Sequence, residues 1–304
     1  MTIAAGFRCD GGVLLCSDSL ISGGSVNNQQ RKIIPFNLPQ IKANVAIALA
    51  GSVPHCLSVI GRLSHKLNQI SAATGLDDAL FVSVFEDVLA KFHAKHLFPH
   101  PHYRYDGGPS VYFIAAVQYQ EKQRTSLFTT SETVVSQTYD FAFTGIGESI
   151  ARYIVEPLAK TVTCSLGDDQ VLLIADHMLH QVKRFVPGCG DASQFFYLGD
   201  NGAFHPPVHG ALLPEDRSET FRRIMADLFF ASANLDLDDD AVALSVELTD
   251  QRIKNIRKEQ RAEREKRRQL GAKIFANPII GVGPFPRSTR IKRQLADRTS
   301  KGPQ

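Results

Sequence analysis

Two strand-like segments behind the first residue, TIAAGFRC and GVLLCSD, constrain this chain more than any other stretch. Both are built of small, β-branched and apolar residues, and the turn Asp10-Gly11-Gly12 joins them as a hairpin. Thr2 opens the hairpin on a sheet, and Asp18 ends its second strand. A small penultimate residue is what methionine aminopeptidase tolerates, so the mature chain is expected to begin at Thr2. A free N-terminal threonine carries a hydroxyl nucleophile and its own general base. Its α-amine titrates at about pKa 7.7–8.0 and is partly neutral at physiological pH.

A fixed order follows Thr2: the Gly11-Gly12 turn, Asp18-Ser19, Lys32 and Ala50-Gly51. In order and spacing this resembles a proteasome β-type subunit, of the N-terminal-nucleophile hydrolase family that includes bacterial proteasome-like peptidases. The Thr2-to-Asp18 interval matches the family pattern, and the stretch from Asp18 to Lys32 is slightly shorter. The resemblance implies a four-layer αββα sandwich of α+β class and a threonine-type peptidase site with no cofactor. Thr2 would be the nucleophile. Lys32 would lower its hydroxyl pKa and keep the amine neutral by like-charge repulsion. Asp18 would orient Lys32, and the Gly51 N–H would donate to the oxyanion, a contribution worth about 10²–10³ in rate. Taken singly, these residues have plainer uses: Asp18 as a strand-end cap, Lys32 as a solvated side chain, Gly51 as a turn glycine.

Composition separates two regions. The net charge of +3 conceals a segment from Gln251 to Gln304 with 16 Lys+Arg and 4 Asp+Glu, which leaves 18 Lys+Arg against 27 Asp+Glu before it. The expected division is therefore a hydrolase domain over 1–250 and a basic extension over 251–304. Within the extension, QRIKNIRKEQRAEREKRRQL has helical charge spacing with almost no apolar face, and the rest has a disordered composition. Its charge fits a polyanion or the acidic body itself. No run of 18 apolar residues suggests a membrane span, and no signal pattern precedes the hairpin. Cys9, Cys16, Cys56, Cys164 and Cys189 are scattered without CxxC spacing, which fits a reducing cytoplasm.

Along the chain, KIIPFN and NVAIALAGS predict strands, and Cys56, Ile60, Leu63, Leu67 and Ile70 lie at helical spacing. A second helix is predicted from about Asp77 into KFHAKH, then strands at SVYFIAAVQY and TSLFTT. FAFTG predicts a strand, ESIARYIVEPLAKTV and QVLLIADHMLHQVKRF helices, QFFYLG a strand and PEDRSETFRRIMADLFFASANL a helix. AVALSVEL alternates like a strand but follows a helical pattern, so its state stays open.

Two positions depart from the family. Its Gly-Ser-Gly turn here reads Gly145-Ile146-Gly147, so Ile146 stands where the family has serine. Its Asp-x-x-Ser-Gly segment here reads Pro187-Gly188-Cys189-Gly190-Asp191-Ala192-Ser193, where either Asp191 or Ser193 is a candidate substitute with no fixed placement. Both departures bear on peptidase competence. Rival sites are weaker. GESIA lacks the second glycine of a Ser149 elbow and lies at a predicted helix start. His93, His96, His100 and His102 lack a zinc frame. Cys189 is a lone cysteine, and NLDLDDDA lacks the EF-hand pattern.

The expected activity is hydrolysis of peptide bonds in peptides or unfolded proteins, within a homo-oligomeric ring or spiral that an ATPase could regulate. A non-catalytic subunit of the same fold and a small-amide hydrolase remain the alternatives.

Overall fold

In a computed structural model, residues 2–23, 26–102, 108–160, 166–202 and 204–209 are described, with scattered positions between 243 and 262. The chain divides into two compact units, Met1–Arg223 and Ile224–Gln304. The first unit begins with β1 (Ile3–Cys9) and β2 (Gly12–Asp18), then β3 (Leu20–Gly23), β4 (Val26–Gln29), β5 (Ile33–Leu38) and β6 (Ala43–Gly51). Helices α1 (Val53–Leu67) and α2 (Asp78–Phe92) follow, the second running on into a π-helical turn at His93–Leu97. Strands β7 (Val111–Tyr119), β8 (Arg124–Ser131), β9 (Val134–Thr138) and β10 (Phe141–Gly145) come next. Helices α3 (Glu148–Lys160) and α4 (Asp168–Phe185) precede β11 (Ser193–Gly199) and β12 (Phe204–His209).

Two antiparallel five-stranded sheets result, ordered β10-β1-β2-β11-β12 and β5-β6-β7-β8-β9, with β3-β4 as a separate hairpin. Strand alternation explains how they stack. In β1, Ile3, Ala5 and Phe7 pack under α3 and α4, while Ala4 points into the seam between the sheets. In β6, Val45, Ile47 and Leu49 pack under α1 and α2, while Ala46 and Ala48 face the same seam. Both faces of these strands are covered, which is why they are apolar almost without interruption. The outcome is the expected four-layer αββα sandwich with a separate core in each of its three interfaces.

The seam is narrow because small residues line it. A Cβ added at Gly6 would lie 2.8 Å from both Ile114 Cγ2 and Leu127 Cδ1 across the seam. Glycine there is a packing requirement of the close sheet approach.

The helices start and stop for local reasons. The Asp77 carboxylate caps α2 by accepting from the Leu80 N–H at 2.8 Å. Pro54 sits in the first turn of α1, where no intrahelical N–H is missed. Helix α1 stops at Leu67, so Ile70 falls in the turn beyond it, and α4 starts at Asp168, a little before its predicted apolar stripe. Strands β3, β4, β9 and β12 have no counterpart among the predicted elements. In the second unit, the described positions of AVALSVEL (Ala243, Leu244, Val246, Glu247 and Leu248) are helical. Gln251, Lys254, Asn255, Lys258 and Ala262 are helical too. The predicted helix at 214–235, the NLDLDDDA segment, Cys164 and most of the basic tail lie outside the described residues. Among the described residues no helix is long and apolar enough to cross a membrane.

Candidate active site

Thr2 precedes β1, Asp18 closes β2 and Lys32 directly precedes β5, so the three converge from both sheets at one end of the seam. All are buried: Thr2 is 3%, Asp18 0% and Lys32 1% exposed. The Lys32 ammonium donates to Thr2 Oγ1 at 2.5 Å, Asp18 Oδ1 at 2.8 Å and the Leu20 carbonyl at 2.5 Å. Each of its N–H bonds has an acceptor. The Thr2 hydroxyl in turn donates to Asp18 Oδ1, which also accepts from the Ile3 N–H at 3.1 Å. The second oxygen, Asp18 Oδ2, accepts from the Gly190 N–H at 3.1 Å. The backbone of Lys32 is held as firmly. Its N–H donates to Gln194 Oε1 at 2.9 Å, the Gln194 amide donates to the Gln30 carbonyl at 2.8 Å, and the Lys32 carbonyl accepts from Leu49 N–H at 2.9 Å.

Burial pushes the Lys32 ammonium below its ordinary lysine range, and the Asp18 carboxylate pulls it partly back. A cation taken this far from water costs several kcal/mol unless its partners repay it. Here one partner is a side-chain hydroxyl, the group whose acidity a neighbouring cation raises.

The remaining sequence-derived residues border the same space. A cavity of about 1260 Å³ is lined by Thr2, Gly51, Ser110, Tyr112, Thr130 and Ile146, among others. Gly51 has φ +102°, and a Cβ there would collide with the Ser110 carbonyl oxygen. The turn after β10 lies beside Thr2 because Ile3 pairs with Gly145. Gly145 has φ +100°, and a Cβ would collide with the Thr2 carbonyl oxygen. Ile146 projects into the cavity at 46% exposure, an apolar side chain where the related pattern has a hydroxyl.

Neither Asp191 nor Ser193 is a hydrogen-bond partner of the Thr2 hydroxyl, which is held by Asp18 and Lys32. The Asp191 carboxylate accepts from Gln29 Nε2 at 3.2 Å, and Ser193 Oγ accepts from Lys183 Nζ at 2.9 Å. Their segment contributes instead through the Gly190 backbone N–H, and Gln194 supports Lys32. Sequence reasoning misses both: a backbone donor has no side-chain signature, and Gln194 sits inside an apolar strand. Cys189 packs with the helix-covered core of the first sheet, and burial with the nearby Asp18 pushes its thiol up to about 12. A thiol held protonated is a poor nucleophile. Ser149 lies in the first turn of α3, as a helix start requires. His93 is buried with neither ring nitrogen hydrogen-bonded, and His96 accepts from Arg62 at 2.9 Å. Among the described residues no three His, Cys, Asp or Glu side chains are grouped to hold a metal.

The family model described as "Proteasome subunit" matches residues 2–185, more than half of the chain. The chain belongs to the proteasome subunit family. Among solved structures, a Gly-1 mutant of Anbu from Hyphomicrobium sp. strain MC1 aligns with TM-score 0.62 at 16% identity, covering 78% of this chain and 100% of that one. Anbu (ancestral beta-subunit) from Yersinia bercovieri aligns with TM-score 0.61 at 12% identity, covering 78% and 99%. The Anbu complex from Pseudomonas aeruginosa, solved as a helical assembly, aligns with TM-score 0.57 at 16% identity, covering 79% and 99%. At these identities the likeness is one of fold. No match was found among curated proteins.

Proposed function

We propose that this chain is a threonine-type peptidase in which Thr2, freed by removal of Met1, attacks an amide carbonyl. The observation that carries the reading is the desolvated Thr2–Lys32–Asp18 cluster, with Lys32 Nζ 2.5 Å from Thr2 Oγ1 at the wall of a cavity of about 1260 Å³. The free α-amine takes the hydroxyl proton as Oγ1 attacks. Lys32 stabilises the developing alkoxide, and Asp18 fixes both groups by accepting from each. The Gly51 N–H serves the oxyanion from the cavity wall. The amine proton passes to the leaving nitrogen, and water then cleaves the acyl-enzyme. A cavity of this size favours a peptide or unfolded chain over a small amide.

The helical assembly of the Pseudomonas aeruginosa relative supports a homo-oligomeric spiral or ring here, one that an ATPase could feed. The hydrolase domain is taken as residues 1–250 and the basic extension as 251–304, the latter available to a polyanion or an acidic surface. Cys9, Cys16, Cys56 and Cys189 are free, which suits a reducing cytoplasm.

Intact mass before and after treatment with a peptide epoxyketone tests the mechanism, because that warhead requires both the hydroxyl and the free amine. Loss of Met1 with one adduct, absent in Thr2→Ala, is the expected result. Retained Met1 would sink the mechanism, since it blocks the base. Ile146 favours a second reading, a subunit of the same fold without turnover. Met1 removed but no adduct formed would point there.

A further inference from the structure

We propose that Lys183, in the last turns of α4, is a positioning residue. It holds the 186–193 strap so that the Gly190 N–H stays on Asp18 and the carboxylate stays aligned with Thr2 and Lys32. The proposal rests on the catalytic reading of Thr2 above and adds a support for it from the helical layer.

The strap links α4 to β11 and turns sharply. Gly188 has φ +87° and Asp191 has φ +60°, so two left-handed residues flank Gly190. Aspartate tolerates that region better than most residues, yet its φ is held only where the surroundings determine it. Lys183 supplies the determinant by donating to the Asp191 carbonyl at 3.1 Å and to Ser193 Oγ at 2.9 Å. On the opposite side, the Asp191 carboxylate accepts from Gln29 at 3.2 Å. Between these anchors Gly190 donates to Asp18 Oδ2 at 3.1 Å. A Cβ at Gly190 would lie 3.1 Å from Leu20 Cδ2, so the strap also rests on the residue whose carbonyl holds Lys32.

Removing the ammonium frees the Asp191 carbonyl and lets the left-handed turn relax. Asp18 then loses the hydrogen bond that Oδ2 receives from Gly190, and its carboxylate is free to rotate away from Thr2 and Lys32. A small misplacement of this kind costs up to about 10²-fold in a positioned reaction.

The test uses the full chain with Lys183→Met, which keeps the stem and removes the donors, and Lys183→Arg, which keeps them. Amide exchange is followed at Gly190 and Ile3, both bound to Asp18, alongside the rate of epoxyketone adduct formation at Thr2. In Lys183→Met both amides are expected to exchange about tenfold faster, and the adduct is expected to form at least about tenfold more slowly. Lys183→Arg should stay close to the parent in both. Unchanged exchange at Gly190 in Lys183→Met would overturn the proposal, as would faster exchange with an undiminished adduct rate. Equal losses in Lys183→Arg would overturn it too, by showing a packing role. If Lys183→Met fails to fold, Ser193→Ala removes one of the two acceptors, and the same pair of readouts decides. An unmodified chain that forms no adduct would strike the Thr2 reading alone, since the exchange measurement still reports whether Lys183 holds Asp18.

Discussion

Two aspartate–cation pairs sit at opposite ends of the β1–β2 hairpin, built from the same chemistry and spent differently. At the turn end, Arg8 lies 3.2 Å from Asp200, with side chains 28% and 24% exposed. Asp200 also accepts from the Thr125 N–H at 2.7 Å, its own N–H donates to the Gly11 carbonyl at 2.8 Å, and Arg8 donates to the Thr125 carbonyl. The remaining bonds of that pair tie the turns after β1 and β11 to the start of β8 in the other sheet. At the other end, Lys32 and Asp18 are 2.8 Å apart and fully desolvated, and both spend a bond on the Thr2 hydroxyl. A pair meant only to join sheets can remain half wet, where it costs little. One that is fully buried and turned toward a hydroxyl at a cavity bears a desolvation cost that a mere fastening would not need.

That contrast can be broken by substitution. Lys32→Met should reduce peptide turnover by about 10³-fold or more and leave Asp18 as an unpaired buried charge, at a cost of about 3–5 kcal/mol. Denaturant titration should then show Asp18→Asn with Lys32→Met recovering most of the stability and none of the turnover. Recovery of turnover in the double variant would refute the assignment of Lys32. Gly145→Ala forces an L-residue into φ +100° against the Thr2 carbonyl. It should lower turnover by about 10²-fold and stability by about 1–3 kcal/mol, read from kcat and thermal melting. Arg8→Met at the wet end should cost about 1 kcal/mol and leave kcat unchanged. A large kcat loss there would erase the distinction between the two pairs.

The pH response sharpens it further. Because Lys32 lies below its ordinary range when folded, its ammonium is lost before that of a free lysine. The alkaline limb of kcat should fall below the ordinary lysine value of about 10.4. Between the folded and unfolded values the unfolded chain binds more protons, so this group makes stability rise with pH in that window. An alkaline limb at the ordinary lysine position would count against Lys32 as the cation that matters.

The pairing of Thr2 with Asp18 was legible in the hairpin, which puts them at the same end of neighbouring strands, while Lys32 was reached only through the family resemblance, since nothing in its local sequence marks it as buried. The sandwich was legible through the family resemblance, with which the order of apolar strands and amphipathic helices agreed. The β3–β4 hairpin was not, since VNNQ carries neither alternation nor β-branched density. Nor was the short strand β9, which lies on a sheet edge. Gly190 escaped for a different reason: its contribution is a main-chain donor whose location depends on where α4 ends and how Asp191 turns. Ile146 was visible as a departure, and its projection into the cavity required the fold.

The seam around Gly6 has a consequence for how such a chain can drift in evolution. Thr2 leads into one sheet and Asp18 ends a strand of it, while Lys32 leads into the other, so sheet spacing acts as a gauge for a hydrogen bond of 2.5 Å. Added bulk at Gly6, Ala46 or Ala116 would thicken the gauge and lengthen that bond without touching any of its atoms. Tolerated changes along the seam should therefore come as matched exchanges, one residue shrinking as its neighbour grows.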